Sequence, residues 1–287
     1  MRENKSAPDL GSAPVGKLVA KLAVPAVVAQ IINLLYNLVD RMYVGSIQDI
    51  GTDALAGLGV AFPITLIVSA FSNLVGMGGA PLAGIFMGEG RRDSAEKVFN
   101  TGAMLLVLFG AVLTAITLSA GDPLLRLFGA PDSSFQYASE YLFVYGTGTL
   151  FVMLSLGLNP FITAQGYSFT SMATVAIGAV LNIALDPLFI FVFGMGVRGA
   201  ALATVIGQIF GMLIGLWGVF VHQKVLQVNM REFKWRLQTV KDIYRVGLPG
   251  IVMQSVVSVM TAGMNAILIG FSQTAVNVLA GYFKLQT

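Results

Sequence analysis

The chain has 287 residues, of which 56% are hydrophobic and only 11% are charged, with a formal net charge of +3. Soluble domains carry about 25% charged residues, so this composition excludes an ordinary soluble protein and predicts an integral membrane protein. The absence of cysteine and the single histidine exclude disulfides, thiolate metal sites and clusters of histidine ligands. We expect no enzymatic activity, no cofactor, no nucleic-acid partner and no obligate protein partner; the lipid bilayer is the expected surroundings.

Seven stretches of the chain reach the roughly 20 apolar residues that a helix needs to cross a bilayer. In chain order they are 16–45, 54–87, 97–120, 135–164, 169–193, 198–222 and 245–270. An eighth begins near Val276 and stops at Thr287. Short polar turns join the spans except at 223–244, which mixes charges with aromatic residues and is predicted to be an amphipathic segment at the membrane surface. The predicted fold class is an all-α, polytopic transmembrane helix bundle.

The positive charges predict the orientation. Most Lys and Arg residues lie in the N-terminal segment, between spans 2 and 3, or between spans 6 and 7, whereas the opposite side holds only Arg126 and Arg198. The positive-inside rule therefore places the N-terminus and the 223–244 segment in the cytoplasm. Residues 1–14 are polar and contain no signal-peptide core. We expect a multi-pass protein of the cell (inner) membrane with a retained N-terminus.

An internal repeat is suggested by Pro-x4-Gln at 25–30 and again at 249–254, and by Leu-Ala-Gly at 55–57 and again at 279–281. Both pairs share one offset, as in transporters built from parallel repeats, although common apolar residues also match by chance. If the repeat holds, the chain is an N-lobe with only the start of a second lobe, and is a truncated transporter. The predicted divisions are a cytoplasmic tail 1–14, a six-helix N-lobe 15–222, a cytoplasmic loop 223–244 and the start of a C-lobe 245–287.

Two aspartates, Asp40 in span 1 and Asp186 in span 5, lie within apolar stretches. A carboxylate at the centre of a membrane helix costs roughly 2.5–3.5 kcal/mol, so such residues are typical of transport sites. Polar residues accompany them at helical spacing on spans 1, 4, 5 and 6. A lone Asn or Thr more often joins neighbouring helices, but two aspartates with four matching stripes favour one shared, water-accessible chamber. The stripes comprise Asn33, Tyr36, Asn37, Tyr141, Tyr145, Ser155, Asn159, Thr163, Thr174, Gly178, Asn182, Thr204 and Gln208.

Prolines lie beside these stripes at Pro25, Pro160 and Pro187. Each removes a backbone hydrogen bond and is expected to bend its helix. The freed carbonyls would suit a cation beside a carboxylate; simple packing kinks are an equally good interpretation. The glycine run 76–79 lacks the strand and lysine of a phosphate loop, so close helix packing is expected there.

Several segments are similar to those of one transporter family. The first four spans contain PAVVAQIINLLYNLVDRMYVG, ALAGLGVAFPI, GMGGAPLAGIFMGEGRRDSAEKVF and LNPFITAQG; the fifth and sixth contain LNIALDPLFIFVFGMGVRGAALATVIGQ; the seventh begins with VGLPGIVMQ. From about residue 15 to the end, the chain resembles the multidrug and toxic compound extrusion (MATE) family. The opening DLGSAPVGKL is similar to its bacterial MepA-like branch.

The resemblance implies two six-helix lobes around a central cleft, with secondary active export of cationic or amphipathic drugs in exchange for H+ or Na+ by alternating access. It implies a cation or proton site on helices 1, 4, 5 and 6, with Na+ at the two aspartates as the one candidate metal. By resemblance, this site comprises Tyr36, Asp40, Tyr141, Asn159, Asn182, Asp186 and Thr204.

Alternative functions remain. A flippase for lipid-linked sugars has a related architecture but would carry basic residues in its cleft. An intramembrane aspartyl protease would carry Tyr-Asp and Gly-x-Gly-Asp, whereas Asp40 follows Val39 and Asp186 follows Leu185. An inactive, truncated membrane fragment would leave both aspartates unexplained.

Overall fold

The fold was obtained as a computed structural model, which describes residues 14–218 and 236–269, with side chains in the second range described as far as Met253. All regular structure in these ranges is helical. The helices are α1 (Val15–Gly45), α2 (Gly51–Gly88), α3 (Arg92–Leu127), α4 (Asp132–Ala164), α5 (Ser168–Pro187), α6 (Val197–Trp217) and α7 (Leu237–Ile269). A π-helical turn, Leu188–Val192, continues α5.

Helices α1 to α6 are each long and apolar enough to cross a membrane. This confirms the all-α, polytopic transmembrane fold class. The predicted span 7 corresponds to α7, which begins at Leu237 rather than at 245, so residues 237–244 of the predicted connecting loop are helical. Packing explains the earlier start, because Ile243 is completely buried and its carbonyl lies against Gly78 of α2.

Several predictions fall outside the described residues. They concern the N-terminal tail up to residue 13, the part of the connecting loop at 219–235, the eighth span and the second Leu-Ala-Gly at 279–281. The chain divides into two compact units, and the division falls within α7, between Gly247 and Leu248. The first unit contains α1 to α6 with the start of α7, and the second contains the remainder of α7. The predicted lobe boundaries stay predictions.

Helix α4 forms the centre of the first unit, since it packs against α2, α3 and α6. The largest core lies between α2, α3 and α4, where the rings of Phe99 and Phe161 meet edge to face at 5.2 Å. Helix α1 packs mainly on α5, and α5 packs on α6. This arrangement encloses a space between α1, α2, α4, α5 and α6.

Glycine ends three successive helices in the same way. After α2, Gly90 adopts φ +73°, the amide of Arg91 donates to the Phe86 carbonyl at 2.8 Å, and Gly90 donates to Met87 at 3.1 Å. This is the Schellman pattern, in which a left-handed residue satisfies the last carbonyls of a helix. Gly129 and Gly166 end α3 and α4 with the same pair of hydrogen bonds. The turns that follow α2, α3 and α4 therefore owe their sharpness to a glycine backbone.

Gly90→Ala should lower the free energy of unfolding by about 1–2 kcal/mol, because a Cβ is strained in the left-handed region. Gly88→Ala is the matched control: Gly88 is the last residue of α2, and a Cβ at either position meets no atom within 4 Å. Alanine is favoured over glycine in a helix, so the control should be neutral or stabilising. Thermal unfolding of the purified variants measures the difference; equal midpoints for the two variants would contradict it.

The glycine run in α2 lies at helix crossings. An added Cβ at Gly76 would lie 2.9 Å from the Pro160 ring, and one at Gly79 would lie 2.5 Å from the Phe161 ring. One at Gly78 would collide with the carbonyl of Ile243. Small residues let membrane helices approach closely, and the prediction that this run serves packing is confirmed.

Pro187 marks the change from α-helix to π-helical turn. Its ring supplies no N–H for an α-helical hydrogen bond, and beyond it the amide of Phe193 donates to the Leu188 carbonyl at 2.9 Å, five residues back. A single π-helical turn of this kind is frequent beside functional sites. Pro25 and Pro160 lie inside the continuous helices α1 and α4, where bending stays a prediction.

Candidate functional site

The structure brings Asp40 and Asp186 together where α1 packs on α5. Their carboxyl groups are close enough to interact with each other electrostatically. Asp186 is completely buried, and Asp40 Oδ1 is buried without a hydrogen-bond partner among the described residues. Two carboxylates in contact cannot both stay charged without a proton or cation between them. The pair is therefore chemically suited to binding and releasing one small positive ion.

Tyrosines surround this carboxylate pair. Tyr36 of α1 and Tyr141 of α4 both lie close enough to interact electrostatically with Asp40 and Asp186. The ring of Tyr145 stacks on that of Tyr141, with centroids 6.0 Å apart. The aromatic rings exclude lipid from the carboxylates while leaving polar hydroxyl groups nearby.

Asn182 connects the carboxylate pair to α6. In the orientation that satisfies both of its amide atoms, Asn182 donates to Asp186 Oδ2 at 3.2 Å. Its carbonyl oxygen then accepts from the hydroxyl and the backbone N–H of Thr204, each at 3.2 Å. Asn182 is itself buried, so these hydrogen bonds replace those it would make with water. The carboxylate, the amide and the hydroxyl form one continuous chain.

Close backbone contact between α5 and α6 holds this chain in place. A Cβ at Gly207 would lie 2.7 Å from the Gly178 carbonyl oxygen, and one at Gly178 would lie 3.0 Å from the Gly207 oxygen. Gly178 precedes Asn182 by one turn, and Gly207 follows Thr204 by about one turn. The absence of side chains at both glycines lets the polar groups of Asn182 and Thr204 meet directly.

A cavity of about 790 Å³ lies between α1, α2, α4, α5 and α6. Tyr36, Asn182 and Thr204 line it, but neither Asp40 nor Asp186 does. The expectation that the two aspartates themselves share a water-accessible chamber is therefore corrected: neither lines the cavity, and Asn182, which does, bonds Asp186 behind it. The position of a residue in a polar stripe predicts which face of its helix it occupies. Whether that residue lines a cavity also depends on how far, and in which direction, its side chain extends.

The residues that line the cavity in the described part of the chain are all uncharged. Polar ones alternate with small and apolar ones such as Ala29, Gly76 and Met77. The polar members are Gln30, Asn33, Tyr36, Ser69, Asn73, Ser155, Asn159, Thr163, Ser171, Thr174, Asn182, Thr204 and Gln208.

Asn159 belongs to a different cluster from the one predicted. Its amide donates to Thr174 Oγ1 at 3.0 Å and to the Ser171 carbonyl at 3.3 Å, while the Ser171 hydroxyl bonds its Oδ1. Thr174 precedes Asp186 by twelve residues, or about 18 Å along a helix. Asn159 therefore joins α4 to α5 and lines the cavity far from the carboxylates. Its membership of the cation site stays a prediction, and its hydrogen bonds in this structure are made to Ser171 and Thr174.

Ser69 and Asn73 of α2 line the cavity and were not predicted from the sequence. A usable signal existed, because Ser69, Asn73 and Gly76 follow one another at helical spacing within an otherwise apolar span. Among the described residues, no group of three or more His, Cys, Asp or Glu side chains could hold a metal. A Na+ ion at the carboxylate pair would need neutral oxygen atoms from its neighbours.

Comparison with known proteins identifies the family. The MatE family model matches residues 25–188, a segment that includes both aspartates and more than half of the chain. The chain belongs to the MatE family.

Similar proteins include named transporters. This MatE chain is 24% identical over 274 residues to the multidrug export protein MepA of Staphylococcus aureus, covering 94% of this chain and 57% of MepA. It is also 24% identical over 281 residues to a FAD transporter of Shewanella oneidensis, covering 96% and 61% of the two chains. The MatE chain thus spans about three fifths of the length of these relatives.

The fold also matches that of solved structures, over shares of the two chains similar to those found for the relatives. A MOP superfamily transporter from Pyrococcus furiosus superposes with a TM-score of 0.87 and 27% sequence identity, over 94% of this chain and 60% of that one. The MatE chain therefore covers about three fifths of that transporter's length, and it is a multi-pass membrane protein.

Proposed function

We propose that this MatE chain takes part in secondary active multidrug efflux, in which cationic or amphipathic small molecules are exchanged for H+ or Na+ by alternating access. The observation that carries the proposal is the electrostatic proximity of Asp40 and Asp186 inside the helix bundle, beside a cavity of about 790 Å³ whose wall includes Tyr36 and Asn182. An ion site that adjoins a guest site allows the occupant of one to disfavour the occupant of the other, which exchange requires. The similarity to MepA supports the same function.

The cavity suits a drug-sized, amphipathic guest. Its volume falls within the roughly 300–1,000 Å³ typical of small-molecule sites. Amide and hydroxyl groups can bond polar substituents, while small residues leave room for flat rings. A cationic guest would also be attracted by negative charge on the carboxylate pair one layer away, so drug and coupling ion would compete electrostatically.

Ion binding would act on the cavity through α1. This helix carries Asp40 at the ion site and also carries Gln30, Asn33 and Tyr36 of the cavity wall. Helix α1 packs mainly on α5, which carries Asp186. A change in the charge of the two aspartates would therefore change the electrostatic interaction between α1 and α5. Loading the pair with an ion would repack α1, alter the cavity wall and expel the drug. We place the N-terminus in the cytoplasm and the protein in the cell (inner) membrane, with no cofactor beyond the coupling ion.

Other substrates receive less support. A flippase for lipid-linked sugars, like a transporter of FAD, must accommodate a pyrophosphate group, and such groups are commonly bound by Arg or Lys. No basic side chain lines the cavity in the described residues. An inactive membrane fragment is the remaining alternative.

Ethidium efflux from cells expressing this chain tests the proposal. A full-length relative serves as the positive control, cells with an empty vector as the negative control, and H+ and Na+ gradients are varied separately. We expect efflux that rises with one of the two gradients. Efflux equal to that of the empty vector, in cells where the chain is folded in the membrane, would contradict transport by this chain and favour the inactive fragment.

A further inference from the structure

We propose that the exposed face at the start of α7 binds the phosphate headgroup of an anionic membrane phospholipid through Lys241 and Arg245. These two basic residues lie one helical turn apart. Side chains four residues apart are neighbours on a helix, with Cβ atoms about 5–6 Å from each other, so an ammonium and a guanidinium group can both reach one phosphate. The proposal rests on the proposed orientation only for the choice of leaflet, which is the cytoplasmic one.

Packing against α2 decides which face of α7 is exposed. Ile243 is completely buried, and a Cβ added at Gly247 would collide with the carbonyl oxygen of Leu74 in α2. Lys241 and Arg245 are exposed on the other side of α7. Residues 237–247 and α2 belong to the same compact unit. The basic pair therefore has a defined position on the surface of this unit.

The exposed surface around the basic pair is apolar. Leu237, one turn before Lys241, is 71% exposed, and Val246, next to Arg245, is 40% exposed. In a membrane protein such side chains can face lipid at no cost in hydrogen bonds. Lys and Arg extend their apolar stems along a surface of this kind and keep the charged end at the polar interface. We therefore expect both charged ends to lie at the level of the lipid phosphates.

The protein itself does not neutralise the basic pair. Among the described residues, no ion pair involves Lys241 or Arg245. The neighbouring Asp242 instead accepts a hydrogen bond from the Gln238 amide at 3.0 Å. Like charges four residues apart destabilise a helix, so a phosphate bound between them would replace a repulsion by two attractions.

The arginines on the opposite side of the membrane protein differ in this respect. Each has an acidic partner within the chain: Arg126 pairs with Asp132, and Arg198 pairs with Glu140. A chain that pairs both of these cations internally but leaves two adjacent cations on α7 exposed has an anion-binding surface at one side only. Anionic lipids attract basic residues that lie beside the membrane surface.

The same basic pair recurs at the start of α1. The offset that relates the two Pro-x4-Gln segments also relates Lys17 to Lys241 and Lys21 to Arg245. In both helices the basic residues precede the proline by eight and by four positions. Lys21 is exposed and, within the described part of the chain, has no ion pair. The recurrence of charge at the same two positions favours a role for the pair over a chance clustering of charges.

Native mass spectrometry of the purified whole chain tests the proposal by counting bound lipids. The chain is titrated with phosphatidylglycerol, which is anionic, and in parallel with phosphatidylcholine, which is zwitterionic. We expect the affinity of one phosphatidylglycerol binding event to fall about fivefold in Lys241→Gln and about fivefold in Arg245→Gln, the factor that one basic residue contributes beside an anionic lipid surface. Lys241→Arg keeps the charge and should keep the affinity. Phosphatidylcholine binding should be the same in all variants.

Lys97→Gln is the matched control. Lys97 in α3 is exposed and has no ion pair among the described residues, so its substitution removes the same charge without touching the pair. The control should keep the phosphatidylglycerol affinity of the unchanged chain. Thermal unfolding in phosphatidylcholine nanodiscs should give one midpoint for all variants. Phosphatidylglycerol should raise the midpoint of the unchanged chain and of the control more than that of the double variant, because a ligand stabilises the folded state that binds it.

Two results in the lipid titration would overturn the proposal. One is an unchanged phosphatidylglycerol affinity in the double variant, and the other is an equal loss in Lys97→Gln, which would indicate attraction to net charge alone. Glycerol phosphate distinguishes a lipid from a free phosphate ester: we expect no competition with phosphatidylglycerol, whereas full competition would contradict the lipid assignment. None of these measurements involves a drug or an ion gradient, so the lipid site and the proposed efflux function fail separately.

Discussion

Asp40→Asn and Asp186→Asn should each reduce ion-driven ethidium efflux at least about tenfold, and the double variant should lose no more than either single variant. Residues that act as one unit give strongly non-additive losses. The two carboxyl groups form such a unit, because each is close enough to act electrostatically on the other. An amide at either position cannot take up and release an ion, so the exchange fails at the first substitution.

Asn has nearly the volume of Asp, so these losses should not come from unfolding. Asp122→Asn provides the matched control, since Asp122 bonds only the Ser139 hydroxyl among the described residues, at an exposed position in α3. Efflux and thermal midpoint of the control should match those of the unchanged chain. Losses that simply multiplied in the double variant would mean that the aspartates act independently.

Gly207→Ala is expected to disable the site from a distance. The new Cβ would lie 2.7 Å from the Gly178 carbonyl oxygen, and this backbone atom cannot rotate away as a side chain would. Overpacking of this kind typically costs about 1–3 kcal/mol. The steric clash would be relieved if α5 moved away from α6. This movement would lengthen the hydrogen bonds between Asn182 and Thr204. We therefore expect both a lower thermal midpoint and impaired ion-driven efflux.

Gly59→Ala is the matched control in α2, because a Cβ at Gly59 meets no atom within 4 Å. Alanine favours the helix over glycine, so this variant should be at least as stable as the unchanged chain. If the Gly207→Ala variant were as stable and as active as the Gly59→Ala variant, this result would show that the α5–α6 contact does not position the site.

Much of the fold could be predicted because membrane spans require long apolar runs. The convergence of the faces that carry Asp40 and Asp186 also followed from the sequence, since polar faces on neighbouring helices avoid lipid. The expected chamber lined by both carboxylates was wrong, because neither residue lines the cavity. The distance along a helix between a polar residue and the carboxylates was harder to predict. A stripe on α4 contains both Tyr141, beside the carboxylates, and Asn159, which bonds Ser171 instead, and periodicity alone cannot say which of them reaches the ion site.

Contacts between particular backbones could not be predicted either. Glycine is abundant in this chain, and nothing in the local sequence indicates that Gly178 meets Gly207 while Gly59 meets no neighbour. The early start of α7 at Leu237 has the same origin, because the burial of Ile243 against α2 is a tertiary contact. Pro187 did predict an irregularity, but its form as a π-helical turn depends on the surrounding hydrogen bonds.

Ion release on drug binding is the most direct measurement of exchange at the carboxylate pair. Ethidium is added to the purified chain in weakly buffered solution, and released protons are followed with a pH dye, or displaced Na+ with a radioactive tracer. The proposed exchange predicts that binding releases one of these ions from the unchanged chain and neither ion from Asp40→Asn or Asp186→Asn. Ethidium binding without release of either ion, or release undiminished in both variants, would contradict it.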